Sequence, residues 1–335
     1  MALRFLARRL LLAIPTLLGV AVIVFVLLRV VPGDPIAMMT PPGASAADIA
    51  NLRALYGLDR SIPEQFAVWI GGVARGDLGT SISQRQGVLG LVLDRLPATL
   101  ELAGVAILLA TLIGMLAAVA GAYWQGRWPE RVVDGFSGLA MAVPDFLWGF
   151  AFILVLGVLY PVLPISGRLD PRVSESFSTN FYLVESLLRL RFATVADLLR
   201  HLILPATALA LPLAAMIARV LKAALAEALA QDYAQMARAM GYSRLRIVLG
   251  EALRNALLPT VTLTAVQFTF LVGGTVLIER IFAYPGIGNM ALGAVIDRDL
   301  PLIQGLILTF AVLFIAINLV IDAAAAWLNP RLRHG

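Results

Sequence analysis

Apolar and polar positions alternate along this chain in long blocks. Six blocks are apolar over the roughly 20 residues that a helix needs to cross a bilayer. The first lies within residues 1–31, uncharged from Leu10 to Leu28 and preceded by Arg4, Arg8 and Arg9. The others cover about 98–124, 136–160, 202–220, 256–278 and 302–328. The first block also resembles a secretory leader, but it exceeds the usual apolar core of about 7–15 residues, and the Val-Val-Pro-Gly-Asp-Pro after it offers no small-residue cleavage site. It reads as a retained span. Six spans place both chain ends on one side of the membrane.

The polar blocks carry helix signals and no strand alternation. In the insert at 32–96, Ser45 and Asp48 have capping-box spacing ahead of Ile49, Leu52 and Tyr56, with Gly57 placed to end that helix; Ser61 and Glu64, flanking Pro63, open a second helix over 66–73. This insert is read as a helical spacer packed on the spans or as a cap over a solute. A second polar block, 161–200, predicts short helices at 182–190 and 195–199. The third, 221–256, is too long for a simple connector. Strong helix formers over 223–240 predict one helix closed by Gly241. Beyond it Leu245, Val248, Leu249, Ala252, Leu253 and Ala256 form one apolar stripe, suited to the membrane interface or to entering the next span. Small side chains around Tyr233, Ala234, Ala237 and Arg238 permit close approach by a partner. Spacing alone equally allows a hairpin that covers the span ends.

Composition extends this picture. Of 335 residues 60% are apolar and 14% charged, against about 45–50% and 25% in soluble domains, so lipid is the solvent for much of the chain. With no cysteine and only His201 and His334, thiol chemistry, thiolate-held metals and histidine-cluster metal sites are excluded, and no metal or cofactor is expected in this chain. Lys222 is the single lysine and lies between Leu221 and Ala223, so no Walker A sequence exists; if ATP is used, another chain binds it. Placing the N-terminus inside divides the 26 basic residues evenly, 13 to each side, but the inner segments hold only 5 acids and are net +8. Both termini are therefore expected in the cytoplasm.

Polar positions inside the spans are few. Glu101, Asp145 and Asp322 lie near span ends and read as snorkelling groups or structural ion pairs, Asp322 and Asn318 sharing a face that Arg8 or Arg9 can reach. Pro144, Pro205, Pro212 and Pro259, with Gly273 and Gly274, mark bends or close helix packing. Gln267, Thr269, Gly273 and Gly274 are candidate lining for a solute path. A secondary transporter normally has more spans, internal repeats and a midplane ion site, and none of these is visible. A membrane hydrolase needs a buried nucleophile and base, and neither histidine lies mid-span.

The stretch Asp232-Tyr-Ala-Gln-Met-Ala-Arg-Ala-Met-Gly241, followed by Ala252-Leu-Arg-Asn-Ala-Leu-Leu-Pro259, resembles the cytoplasmic EAA loop of permease subunits in binding-protein-dependent ABC importers, in the form of the dipeptide/oligopeptide/nickel branch. Further stretches agree in order along nearly the whole chain: Pro32-Gly-Asp-Pro35, Tyr56-Gly-Leu-Asp59, Gly76-Asp-Leu-Gly79, Arg95-Leu-Pro-Ala-Thr-Leu-Glu101, Leu163-Pro-Ile-Ser-Gly167, Tyr284-Pro-Gly-Ile-Gly288 and Asn329-Pro-Arg331. The resemblance implies an all-α integral membrane protein with six transmembrane helices in the type I ABC importer permease fold, its mostly helical insert lying outside the cytoplasm. It implies residence in the bacterial inner membrane and no catalytic residue. It implies four kinds of partner: a second, homologous permease forming a heterodimer, two cytoplasmic ATPases that bind ATP and Mg, an extracytoplasmic solute-binding protein, and lipid; a nucleic-acid partner is excluded. On the matching positions, Asp232, Tyr233, Ala237, Arg238 and Gly241 are implied to dock on an ATPase, and Arg254, Asn255 and Pro259 to return the chain to the fifth span. The implied solutes are short peptides, with nickel chelates, glutathione or oligosaccharides as alternatives.

Overall fold

The computed structural model describes residues 2–30, 45–55, 59–173 and 175–328. The expected end of the insert's first helix at Tyr56 and Gly57, the Pro32–Pro35 and Asn329–Arg331 stretches, and the side chains of Arg8 and Asp322 lie outside the described residues. Among the described residues the regular structure is helical apart from a single bridge between Thr80 and Gly87.

In chain order the helices are α1 (Ala2–Val30), α2 (Ala46–Leu55), α3 (Ile62–Val73), α4 (Val88–Tyr123), α5 (Trp128–Ala142), α6 (Asp145–Phe152), α7 (Tyr182–Leu188), α8 (Phe192–Ala230), α9 (Asp232–Ala239), α10 (Leu253–Ile281), α11 (Ile287–Ile296) and α12 (Leu300–Leu328). Five of them, α1, α4, α8, α10 and α12, are long and apolar enough to cross a membrane. The expected third span, 136–160, is not one straight helix: α5 and α6 meet at a bend of 104°, and only taken together do they supply a sixth crossing. Pro144 is the cause. The residue before a proline is driven out of the helical region, and Val143 is extended at φ −97°, ψ 123° while Pro144 caps α6. A π-helical stretch, Ile153–Leu159, continues α6.

Other boundaries move outward from their expected places. α4 begins ten residues before 98 and runs through Pro97, because Val88, Leu91 and Val92, at helical spacing, are all buried and carry the helix across the proline. The short helix expected at 195–199 is the opening of the 39-residue α8, which encloses Pro205 and Pro212. The single helix expected over 223–240 is two: α8 ends at Ala230, Gln231 is extended at φ −72°, ψ 157°, and α9 starts at Asp232. Two side chains from α9 stabilise this break. Gln235 Nε2 donates to the Ala230 carbonyl at 3.1 Å and Arg238 to the Leu229 carbonyl at 2.9 Å, satisfying acceptors that a helix end leaves unpaired. The stripe from Leu245 onward does enter the next span: a turn at Arg244–Arg246 and a π-helical stretch at Ile247–Ala252 lead without a gap into α10.

The chain forms two compact units, Met1–Leu96 with Asn289–Gly335, and Pro97–Gly288. Within the first, α3 packs on α1: Phe25 lies 5.2 Å from Phe66 and 5.6 Å from Trp69 between ring centres, and Arg29 stacks over Phe25 while donating to Gln65. Both capping boxes form, Ser45 with Asp48 and Ser61 with Glu64. Buried Asp299 accepts from the hydroxyls of Ser81 and Ser83 at 2.6 and 2.8 Å and from the Leu302 amide at the start of α12.

Within the second unit α8 is the central helix, packed by α5, α6 and α10. It crosses α4 at Gly114, where an added methyl carbon would lie 2.7 Å from the Ala214 carbonyl oxygen and 2.8 Å from Ile217 Cβ. Close backbone approach through a small residue is the usual device for packing helices in lipid. Gly114→Ala is therefore expected to cost about 1–3 kcal/mol of overpacking strain, read as a lower melting temperature in detergent. An unchanged midpoint would show that the crossing yields without strain.

Candidate functional site

The segment from α8 to α10 builds a small platform on an alanine floor. Ala234 and Ala237 of α9 are buried in a cluster with Leu225, Leu229, Ile247, Val248, Ala252 and Ala256, onto which Ala118 and Ala122 of α4 also pack. Small side chains at 234 and 237 let α9 lie close over α8 and the π-helical stretch. Away from that floor Tyr233, Met236 and Met240 are exposed, the two methionines by 66% and 58%. Large flexible apolar groups left outside an otherwise satisfied helix are the mark of a surface that meets a partner.

The end of α9 is shaped by Gly241, which sits in the left-handed region at φ +80°. Its amide donates to the Arg238 carbonyl at 3.0 Å, and the Tyr242 amide donates to the Ala237 carbonyl at 3.1 Å, the closure expected of a glycine C-cap. Ser243 then opens the next turn, its hydroxyl accepting from the Arg246 amide.

The structure sorts the sequence candidates. Asp232, Tyr233, Arg238 and Gly241 are exposed on or beside α9, but Ala237 belongs to its floor. Arg254, Asn255 and Pro259 lie exposed at the start of α10, Asn255 donating to the Glu251 carbonyl at 3.2 Å. Farther along α10, Gln267 donates to Met216 Sδ at 3.1 Å, and Thr269 is buried with no partner for its hydroxyl. Gly273 and Gly274 are exposed, and no atom would meet a methyl carbon added at either, so they leave a bare strip of backbone on α10. Met236 and Met240 were not foreseen. A signal was present for Met236, which a 3.6-residue repeat sets about 130° from the midpoint of Ala234 and Ala237.

A second polar assembly joins stretches that the sequence shows only as separate short motifs. Glu101 and Arg168 form a buried ion pair at 2.7 Å, and Glu101 also accepts the amides of Leu183 and Val184 at 2.8 and 3.2 Å. Arg168 donates to the Asn180 carbonyl and lies over the Tyr182 ring. Glu279, fully buried, accepts the Thr99 hydroxyl at 2.7 Å, and Thr99 in turn accepts the Ile287 amide. Gly286 and Gly288 make room for that carboxyl: a methyl carbon at Gly286 would lie 2.3 Å from it. Gly167, at φ +81°, donates its amide to the Phe282 carbonyl. Burial raises the Tyr284 hydroxyl above its ordinary pKa and keeps it neutral. Nearby, Glu185 accepts the amides of Ser178 and Thr179 and the Thr179 hydroxyl, which hold its carboxyl at about 2. Glu101 is thus an internal pair and not a snorkelling group, while Arg168 and Glu279 were missed because each lies in a stretch that reads as loop or span end.

Residues 110–334 match the family described as binding-protein-dependent transport system inner membrane component, and residues 2–103 match its N-terminal companion. The chain belongs to this family. It is 40% identical to the di/tripeptide transport system permease protein DppB of Pseudomonas aeruginosa (strain UCBPP-PA14) over 335 residues, covering 99% of both chains. It is 36% identical to the dipeptide transport system permease protein DppB of Escherichia coli (strain K12) and 36% to the glutathione transport system permease protein GsiC of Salmonella choleraesuis (strain SC-B67), again over 99% of each. As a binding-protein-dependent permease the chain is an inner-membrane subunit of an ABC importer, a machine that also contains ATPase and solute-binding components. The expected fold class holds: apart from the Thr80–Gly87 bridge the regular structure of the described residues is helical, with five crossings, or six with the bent pair, consistent with the fold of this family.

Proposed function

We propose that this permease forms half of a path for di- and tripeptides, paired with a second, homologous permease and supplied by a solute-binding protein. The observation that carries the substrate class is full-length identity at 40% to a di/tripeptide permease. Glutathione, itself a tripeptide, is the second reading, favoured by the 36% identity to a glutathione permease.

In this reading α9 is the coupling helix. Tyr233, Met236 and Met240 seat in a cytoplasmic ATPase, and the chain itself hydrolyses nothing. The helix that runs unbroken from the π-helical stretch into α10 supports the role, because a push on α9 has only the short turn at Gly241–Ser243 to cross before it reaches a helix continuous with a span. The bare backbone at Gly273 and Gly274 is a place for the second permease to approach closely. The inserts at 32–96 and 161–200 then lie outside the cytoplasm with both chain ends within, an orientation supported by the net +8 charge of the inner segments.

The test is uptake in a strain whose own peptide importers are deleted, supplied with this permease and its neighbouring subunits. Labelled dialanine and trialanine are expected to accumulate and to exclude one another, while excess glutathione competes weakly. Strong competition by glutathione alone would transfer the assignment to the second reading.

A further inference from the structure

Between the ends of α4 and α8 and the underside of α9 lies an open cavity of about 410 Å³ whose charged lining is entirely cationic. Arg238 and Arg244 face it together with Gln125 and Tyr242, over Leu229 and Val248, and no carboxylate lines it. Each guanidinium is positioned by one backbone acceptor, Arg238 by Leu229 and Arg244 by Ala122 at 3.2 Å. Those carbonyls belong to the last turns of α8 and α4. A guanidinium has five N–H donors, so both retain donors for a ligand. Arg246 stacks on the Tyr242 ring at 4.0 Å and adds a third positive charge close by.

From these observations we infer that the cavity is a binding site for the phosphate of an anionic phospholipid. Three arguments converge on that occupant. The arginine pair offers the forked donors that suit phosphate oxygens. The cavity opens beside the end of α4, a membrane-crossing helix, where Tyr123 and Trp124 pack edge to face at 5.3 Å in the manner of interfacial aromatic residues. Basic pockets between spans at this level are a recurrent mode of headgroup recognition. An acidic side chain of an ATPase is the competing occupant, and direction disfavours it. At 3.6 residues per turn Arg238 points about 170° away from the midpoint of Tyr233 and Met236, and its guanidinium reaches back to the Leu229 carbonyl at the end of α8. A lipid held there would brace α9 against the span ends.

The full chain, purified from membranes in a mild zwitterionic detergent, is titrated with phosphatidylglycerol or phosphatidylcholine, and bound lipid is read by native mass spectrometry. Phosphatidylglycerol is expected to bind with clear preference. At about 1 kcal/mol per basic residue, Arg238→Gln with Arg244→Gln should weaken that binding about 30-fold. Arg131→Gln, an exposed arginine outside the cavity, should not change it. The lysine pair Arg238→Lys with Arg244→Lys should retain most of the binding, which separates lost charge from a lost fold. The wild-type lipid preference can be read with no variant at all. Equal binding of both lipids would overturn the assignment, as would displacement by millimolar inorganic phosphate, which marks a site for free anions. So would a double variant that keeps phosphatidylglycerol but no longer retains its ATPases, which hands the cavity to an acidic side chain.

Discussion

Gly241→Asp is expected to abolish peptide import and co-purification of the ATPases while the chain still inserts at normal level. Gly241 holds φ +80° at the end of α9, a region that costs most residues with a Cβ roughly 1–2 kcal/mol. No atom would meet a methyl carbon placed there, so the effect is conformational and electrostatic, not steric. Aspartate tolerates the left-handed region better than most residues, but its charge stands at the negative end of a helix. That unfavourable placement loosens the closure that sets the angle between α9 and the turn at Ser243. Gly241→Asn, which removes the charge and keeps the shape, should recover part of the import. The spans draw nothing from this position, so membrane yield is the control. Undiminished uptake by the aspartate variant would show that the end of α9 does not transmit the ATPase stroke.

Arg168→Met should be the most destabilising single change in the Pro97–Gly288 unit. It leaves the carboxylate of Glu101 buried with two backbone amides and no counter-charge, and breaking a buried pair from one side typically costs about 3–5 kcal/mol. The same substitution removes the donor to Asn180 and the cation over Tyr182, so the 161–181 segment should loosen with it. The expected result is a melting midpoint far below wild type and faster proteolysis in that segment. Adding Glu101→Gln should restore much of the loss, because the uncompensated charge is then gone. If the double variant were no more stable than the single, the damage would lie in the lost contacts of Arg168 and not in the stranded charge.

How much of this was legible beforehand follows from range. Apolar runs are local, so all of the crossing segments were visible, and so were the Ser45 and Ser61 caps and the left-handed Gly241. The break at Gln231 was not, because its cause is two side chains, Gln235 and Arg238, reaching backward to carbonyls that propensity scales ignore. Pro144 marks a bend in the sequence, but the size of the bend depends on how α5 and α6 each pack on α8. The glycines of Tyr284-Pro-Gly-Ile-Gly288 stand in the sequence as a motif whose reason is not local. The reason is Glu279, whose carboxyl needs the space that side chains at 286 and 288 would fill. Such requirements join residues far apart in sequence and leave no periodic trace. For the platform the division is similar: the segment was identified from its composition, while the assignment of Ala237 to the floor and of Met236 and Met240 to the open face required the helix to be set down on its neighbours.

Lys222 ends its side chain between Glu130 and Asp134, 2.7 Å from each. As the single lysine of 335 residues, it is also the only side-chain amine on which amine-directed cross-linkers can act, and two carboxylates enclose it. In an assembled importer such reagents will therefore reach this subunit, apart from its terminal amine, only at Lys222, and will map mostly the lysine-bearing neighbours to one another. Its boundaries with them are better traced by reagents aimed at carboxylates.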